Sequence, residues 1–159
     1  MNRTYLLIGG NVGNRQENLS RATTMIESKV GKILRASSLY ETAAWGVTDQ
    51  PSFLNQVLLV ETKLDPEQVL DAILSIETEM GRKRTEKFGP RTIDVDILFF
   101  NDLIMHKNAL TIPHPQLHLR RFTLEPLNEI APKFIHPIFK KSISELLQQS
   151  ADPLVVKKF

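Results

Sequence analysis

The chain has 159 residues, 42% of them hydrophobic, which is enough for one substantial core, so we expect a single domain over residues 1–159. Its 20 basic and 18 acidic side chains nearly cancel, which argues against a generalised nucleic-acid binder. The sequence contains no cysteine, which excludes disulfides, thiolate catalysis and cysteine-ligated zinc.

Hydrophobic patterns and turn residues predict alternating strands and helices. Asn14 with Glu17, and Asp65 with Gln68, have the spacing of helix N-caps. The predicted elements are a strand at 5–8, a helix between Asn14 and Gly31, strands at 33–42 and 57–62 joined by a loop at 46–51, a helix between Asp65 and Gly81, a strand at 92–100, and helices at 121–130 and 143–149. The order βαββαβ predicts an α+β, ferredoxin-like core in which helices pack on an antiparallel sheet, followed by a C-terminal extension.

Two loops carry glycine, and they differ in chemistry. The segment from Gly9 to Asn14 connects the first strand to the first helix, but it lacks the Lys-Ser/Thr of a phosphate loop and the glycine spacing of a dinucleotide fold. We therefore interpret it as a structural turn. The segment 82–91 is charged and contains Gly89-Pro90, which predicts a mobile loop leading into the strand at 92–100.

Two carboxylates interrupt the apolar strand at 92–100. Residues i and i+2 of a strand share a face, so Asp94 and Asp96 would lie about 7 Å apart on one side. The apolar run continues through Leu98, Phe99 and Phe100 on both faces, which favours a covered strand whose carboxylates need partners such as two Mg²⁺ ions. The alternative is the solvated face of an edge strand.

Basic residues close to the two aspartates indicate phosphoryl chemistry. Arg82, Arg84 and Arg91 precede the pair within a short stretch, and a guanidinium binds phosphate oxygens through two parallel hydrogen bonds. Metals and arginines together can support phosphoryl transfer without a covalent nucleophile. A solvated basic loop is the alternative.

The four histidines predict no zinc site. His114 is held stiffly between Pro113 and Pro115, with an exposed turn histidine as the alternative reading. The others, which lack zinc-site spacing, are His106, His118 and His136.

The combination of these motifs resembles a known family. Gly81-Arg82-Lys83-Arg84 followed by the run from Gly89 to Leu98 resembles the signature of 6-hydroxymethyl-7,8-dihydropterin pyrophosphokinases, and residues 8–13, 40–55 and 113–132 are similar to further blocks of that family. The resemblance implies ATP-dependent transfer of pyrophosphate to the hydroxymethyl group of 6-hydroxymethyl-7,8-dihydropterin, with release of AMP, in folate biosynthesis.

The resemblance also implies roles for individual residues. The implied catalytic residues are Arg82, Arg91, Asp94 and Asp96, of which Asp94 and Asp96 would bind two Mg²⁺ ions. The implied ATP-binding residues are Glu77, Arg82, Arg84, Arg91, Ile97, His114 and Arg120. The implied pterin-binding residues are Thr42, Ala43, Trp45, Phe53, Asn55, Phe88, Asp94 and Phe122, with the pterin stacked between the rings of Phe53 and Phe122.

Three positions depart from the family pattern. Ala43-Ala44 stands where many relatives carry proline, Phe88 where some carry tryptophan, and Pro115 where some carry an aromatic residue. None of these changes removes a metal ligand or a transition-state arginine, so we predict an active enzyme. We also expect a monomeric, cytoplasmic protein that binds ATP and a reduced pterin but neither nucleic acid nor membranes.

Two rival functions remain at this stage. A two-metal polymerase-palm or nuclease-like domain also places carboxylates on a ferredoxin-like sheet, and it predicts salt-dependent nucleic-acid binding. A nucleotide-sensing module would bind ATP without forming AMP.

Overall fold

The computed structural model describes residues 1–43, 51–81, 92–107 and 109–159. Most of the predicted loop at 46–51 and all of the charged segment 82–91 lie outside these ranges. The elements are β1 (Asn2–Gly10), α1 (Arg15–Lys29), β2 (Lys32–Ala36), β3 (Tyr40–Thr42), β4 (Phe53–Thr62), α2 (Pro66–Glu79), β5 (Asp94–Phe100), β6 (Met105–Lys107), β7 (Leu110–Ile112), a 3₁₀ turn (Leu117–Leu119), α3 (Arg121–Ile130), α4 (Ile143–Gln148) and β8 (Val156–Lys158).

An antiparallel sheet forms the centre of the fold. In the described part of the chain, its strands run in the order β5-β1-β4-β3-β8, and β2 pairs with β4 beside this path. The longest pairing joins β1 to β4, from Asn2 opposite Thr62 to Gly10 opposite Leu54. The short strands β6 and β7 form a separate hairpin. The predicted α+β, ferredoxin-like core is therefore confirmed.

The prediction of one strand at 33–42 is wrong, because the segment forms two strands, β2 and β3. Ala36 lies opposite Leu58 and Tyr40 opposite Asn55, so four steps on this segment face three steps on β4. The extra residue is accommodated at Ser37, whose hydroxyl accepts a hydrogen bond from the Val57 amide at 3.0 Å. A side chain thus replaces a backbone carbonyl in the ladder, and the strand is interrupted.

The other strand boundaries also shift. β4 begins at Phe53 rather than at residue 57, and β5 begins at Asp94 rather than at residue 92. The sequence analysis did not predict β6, β7 or β8. β8 pairs with β3, so the C-terminal extension adds a strand to the sheet, with Thr42 opposite Val156.

The predicted helix caps are present. The Asn14 side chain accepts a hydrogen bond from the Glu17 amide at 3.1 Å, which satisfies one of the unpaired amides at the start of α1. Asp65 and Gln68 form a reciprocal capping box at the start of α2.

The helices cover both faces of the sheet. α1 and α2 pack on one face through apolar side chains that also contact Leu6, Ile8, Val95 and Ile97. α3 and α4 pack on the opposite face, in a second core that contains Tyr5, Leu7, Leu98 and Phe99. Within the described ranges, no helix is both long and apolar enough to cross a membrane. The sheet therefore lies between α1 and α2 on one side and α3 and α4 on the other.

Candidate active site

A lateral row of residues crosses the sheet at the end of β1. Tyr40 lies opposite Asn55, Asn55 opposite Gly9, and Gly9 opposite Asp94. Directly opposed residues point to the same face of a sheet, so Asn55 and Asp94 face the same side with Gly9 between them. A Cβ atom on residue 9 would lie only 2.1 Å from Asn55 Oδ1. Glycine therefore leaves the space that the Asn55 side chain occupies. The Gly9 backbone and the Asn55 side chain packed over it, called the floor below, lie beside Asp94.

Three predicted pterin-binding residues lie around this floor. Thr42 pairs with Phe53, and Phe53 shares a face with Asn55 because the two are separated by one residue on β4. Phe122 is half-buried in the first turn of α3 and packs against the core on this same face. Thr42 is 3% exposed, and among the described residues its hydroxyl oxygen has no hydrogen-bond partner. The structure thus brings Thr42, Phe53, Asn55 and Phe122 to one face.

Asp94 and Asp96 lie at the edge of that face. Both carboxylates are half-buried, and β5 forms one end of the strand order. The other residues of β5 are buried on both faces, so this edge strand is nevertheless covered. β5 is thus an edge strand, as one sequence-based alternative had it, and it is also covered, as the other had it.

The donors at this edge fit a magnesium site completed by a nucleotide. Asp96 lies opposite Leu7, two residue pairs along from the floor at Gly9 and on the same face. The described ranges contain no cluster of three or more His, Cys, Asp or Glu side chains that could hold a metal. Mg²⁺ commonly binds one or two carboxylates and completes its shell with substrate phosphates and water. Two neighbouring aspartates suit that arrangement, because a nucleotide supplies the remaining oxygens.

Glu77 contacts the same strand from α2. Its side chain is 1% exposed, and its Oε2 accepts a hydrogen bond from the Val95 amide at 2.9 Å. Val95 lies between Asp94 and Asp96. The structure therefore directs this carboxylate towards the backbone of β5, between the two predicted metal ligands, and its implied contact with ATP stays a prediction.

His114 is anchored against β5. Its backbone amide donates to the Leu98 carbonyl at 3.0 Å, and its Nδ1 accepts from the Gln116 amide at 3.2 Å. Burial, and to a smaller extent the charge of Arg120, lowers the pKa of His114 to about 4, while Asp94 opposes the shift. At neutral pH the ring is therefore uncharged, and because Nδ1 accepts, its proton is on Nε2.

Arg120 connects His114, a predicted ATP-binding residue, with Phe122, a predicted pterin-binding residue. Its guanidinium carbon lies 5.5 Å from the centroid of the Phe122 ring, within the range of a cation–π contact. The Arg120 side chain donates a hydrogen bond to the side-chain oxygen of Gln116, and the backbone amide of Gln116 donates to His114. His114, Arg120 and Phe122 thus form one connected group.

The turn from Gly9 to Asn14 and the start of α1 contact the segment just before Phe53, a predicted pterin-binding residue. Asn11 is 2% exposed, and its Nδ2 donates to the Pro51 carbonyl at 3.0 Å. Arg15 donates to the Ser52 carbonyl at 3.0 Å and to Glu41 at 2.7 Å. These contacts support the interpretation of a structural turn. The sequence analysis missed them because they join residues that are far apart in the chain.

A second supporting contact was also missed. The Tyr40 hydroxyl donates to Glu129 at 2.6 Å, and the Ser38 amide donates to the same carboxylate. Burial raises the pKa of Tyr40, and Glu129 raises it further. This contact ties the row that contains Asn55 to α3, near its C-terminal end.

The remaining predicted residues are placed as follows. Ala43 is exposed just after β3. The Ile97 side chain is 5% exposed in the core under α1 and α2, on the face opposite to the two aspartates, so only its backbone could reach a nucleotide. The predicted residues outside the described ranges are Trp45, Arg82, Arg84, Phe88 and Arg91, and their roles stay predictions.

Comparison with known proteins gives the family. The model of the 7,8-dihydro-6-hydroxymethylpterin-pyrophosphokinase (HPPK) family matches residues 5–132. The chain is 42% identical over 145 residues to the 2-amino-4-hydroxy-6-hydroxymethyldihydropteridine pyrophosphokinase of Aquifex aeolicus, covering 91% of this chain and 90% of that protein. It is 37% identical to the protein of the same name from Haemophilus influenzae, covering 96% of both chains.

A solved structure supports the same fold. The wild-type HPPK-DHPS of Plasmodium falciparum, crystallised with pterin and p-hydroxybenzoate, matches with a TM-score of 0.78 and 22% identity. The match covers 93% of this chain and 43% of the larger one. The chain therefore belongs to the 7,8-dihydro-6-hydroxymethylpterin-pyrophosphokinase family, and it is a pyrophosphokinase that uses ATP in folate biosynthesis.

Proposed function

We propose that this chain transfers pyrophosphate from ATP to the hydroxymethyl oxygen of 6-hydroxymethyl-7,8-dihydropterin and releases AMP, with Asp94 and Asp96 as the metal ligands. Membership of the family supports the reaction. The observation that carries the assignment to residues is the row in which Asn55, Gly9 and Asp94 share one face of the sheet. It puts the hydrogen-bonding amide of Asn55, packed over Gly9, next to a carboxylate.

The pterin would lie against the Asn55 side of the floor. Asn55 offers both a donor and an acceptor to the edge of the flat bicyclic ring. Stacking on Phe53 and Phe122 would contribute about 0.5–1.5 kcal/mol for each ring beyond simple burial. The hydroxymethyl group would then point towards Asp94, where the phosphates must be.

The two carboxylates would hold Mg²⁺ together with the triphosphate. Two bound ions would neutralise the phosphate charge and make the attacking hydroxyl more acidic. Asp94 and Asp96 would orient the attacking hydroxyl through these ions, from a strand whose other side chains are packed in two cores. A rigid support of this kind keeps the distance between the reacting atoms short.

The nucleotide would lie beside β5, towards His114 and Arg120. A neutral His114 presents Nε2–H as a hydrogen-bond donor, and Arg120 contributes a permanent positive charge. On the basis of the family resemblance, we also propose that Arg82, Arg84 and Arg91 bind and neutralise the transferring phosphates. Phe88 and Trp45 would close the pterin side.

The product nucleotide tests the proposal directly. The protein is incubated with Mg²⁺, ATP and the reduced pterin, and the nucleotides are separated by chromatography. We expect AMP, whereas ADP as the product would refute pyrophosphoryl transfer. Binding of ATP without product would favour the sensing module, and salt-dependent retention of single-stranded DNA in a gel shift would favour the nuclease-like domain.

A variant pair tests the metal ligands. Asp96→Asn removes a carboxylate of the site, and Asp102→Asn removes an exposed carboxylate just after the same strand. Asp96→Asn should lower the rate of AMP formation by about 100-fold or more, while Asp102→Asn should leave it unchanged. Equal rates in the two variants would contradict the assignment.

The oligomeric state and the location of the protein are also proposals. We propose a monomer in the cytoplasm. Sedimentation velocity should give a mass close to 18.1 kDa, and a mass twice as large would refute the monomer.

A further inference from the structure

Glu77 is a buried carboxylate that packing alone does not explain. It lies in the last turn of α2 and is 1% exposed, among the apolar residues that face the sheet. Burial disfavours a charged carboxylate, and the negative end of the helix dipole disfavours it further. No basic residue occupies the last turn of this helix. Two electrostatic effects therefore act against a negative charge here, which indicates that the carboxylate has a role.

The contact made by Glu77 is with the backbone of the metal-binding strand. Its Oε2 accepts from the Val95 amide at 2.9 Å, and Val95 is the residue between Asp94 and Asp96. Among the strands that the structure describes, β5 lies at one end of the order, so its outward-pointing amides have no neighbouring strand there to bind. A hydrogen bond from an amide to a carboxylate is stronger than one to a neutral carbonyl.

We propose that Glu77 is a positioning residue that fixes the directions of the Asp94 and Asp96 side chains by holding the peptide between them. The Val95 amide belongs to the same peptide plane as the Asp94 carbonyl, so the hydrogen bond fixes the orientation of that plane. This plane contains the Cα atoms of Asp94 and Val95, so it fixes the start of the Asp94 side chain directly and that of Asp96 through the following peptide. This inference rests on the proposed function, because it needs Asp94 and Asp96 to be the metal ligands.

The position of Glu77 also argues against a direct contact with ATP. An exposure of 1% leaves almost no carboxylate surface for a nucleotide to reach. One carboxylate oxygen is already bonded to the strand. A group that supports metal ligands in this way typically changes metal affinity by about 10- to 100-fold when it is removed.

The test compares variants that keep or remove the acceptor. Glu77→Gln keeps an oxygen that can accept from Val95, whereas Glu77→Leu removes it at similar volume. Glu79→Gln, on the exposed side of the same helix, is the matched control. Three quantities are measured: the exchange rate of the Val95 amide by NMR without metal, the Mg²⁺ concentration for half-maximal activity, and KM for ATP at saturating Mg²⁺.

The proposed positioning of β5 by the hydrogen bond from the Val95 amide to Glu77, called the clamp below, predicts a specific pattern. Glu77→Leu should raise the Val95 exchange rate and the Mg²⁺ requirement by about 10-fold or more and should lower kcat, with KM for ATP unchanged. Glu77→Gln and Glu79→Gln should stay close to the parent protein in all three measurements. If the leucine variant does not fold, Glu77→Met removes the same acceptor with an unbranched chain.

Two results would overturn the inference. Val95 could stay protected in Glu77→Leu while KM for ATP rises, which would make Glu77 a nucleotide contact. Alternatively, Glu77→Gln could lose as much as the leucine variant, which would show that the charge and not the hydrogen bond is needed. The exchange measurement needs no turnover, so a failure of the proposed function, seen as no AMP from the parent protein, is distinguishable from a failure of the clamp.

Discussion

Replacing Gly9 by alanine should weaken pterin binding through a defined clash. A Cβ atom at this position would lie 2.1 Å from Asn55 Oδ1 and 2.9 Å from the Leu54 backbone oxygen. Non-bonded carbon and oxygen atoms pack at about 3.5 Å, so the Asn55 oxygen must move by about 1.4 Å. The Leu54 carbonyl belongs to the backbone of β4 and can move much less.

The size of the effect follows from the hydrogen bonds that Asn55 would lose. A displacement of about 1.4 Å breaks a hydrogen bond of ordinary length. A binding group left without its partner costs about 1–3 kcal/mol, which corresponds to about a 5- to 150-fold loss of pterin affinity. Overpacking should also lower the free energy of unfolding by about 1–3 kcal/mol, so affinity must be measured below the unfolding transition.

Calorimetric titration with the reduced pterin and a non-hydrolysable ATP analogue gives the affinity of each variant. Gly9→Ala should bind the pterin more weakly, while KM for ATP stays unchanged. The double variant Gly9→Ala/Asn55→Ala is the control: once Asn55 is gone, alanine at residue 9 should add little to the loss of pterin affinity, although its contact with the Leu54 carbonyl still lowers the free energy of unfolding. Unchanged pterin affinity in Gly9→Ala, or a full additional loss in the double variant, would refute the assignment of the floor.

Two further predictions concern the support of the site and its stability. Asn11→Ala removes the hydrogen bond to Pro51 and should raise KM for the pterin about 5-fold. Asn18→Ala, in α1, removes a hydrogen bond to the Val12 carbonyl of the same turn and should leave this KM unchanged. Equal effects in a steady-state assay would contradict the supporting role of Asn11. Burial, and to a smaller extent His118, lowers the pKa of His136 from 6.5 to about 4. The folded state therefore holds this ring neutral, and the free energy of unfolding should fall as the pH drops from 6.5 to 4. His136→Asn should reduce this dependence of the free energy of unfolding on pH, measured by urea denaturation. An unchanged pH dependence would show that other groups cause it.

Local sequence rules predicted much of the fold. The caps at Asn14 and Asp65 are visible in a few neighbouring residues, and both are present. The strand predicted at 33–42 failed because the interruption depends on the Ser37 hydroxyl meeting the Val57 amide, a contact between strands that no propensity encodes. The strand at the C-terminus was missed for a similar reason, since its three residues form a strand only by pairing with β3.

The site was predictable to a different extent on each element. The alternation of side chains along one strand placed Asp94 and Asp96 on one face without any knowledge of the fold. The row that joins Asn55, Gly9 and Asp94 could not be predicted, because it depends on the register of three strands from distant parts of the chain. Glu77 left a visible signal, since it follows Ile73 by four residues on the apolar side of α2. A carboxylate in such a stripe indicates a buried partner but does not identify it.

β5 combines two functions by alternation. Val95 and Ile97 point into the core beneath α1 and α2, and Asp94 and Asp96 point to the opposite face. The aspartates project from a backbone that the buried residues between them hold in place, and Glu77 adds a hydrogen bond to that backbone at the free edge of the sheet. Metal ligands on a mobile loop would have to be ordered when the nucleotide binds, at a cost in conformational entropy. The proposed ligands on this strand are already ordered, so the binding energy of ATP would remain available for positioning its β-phosphate.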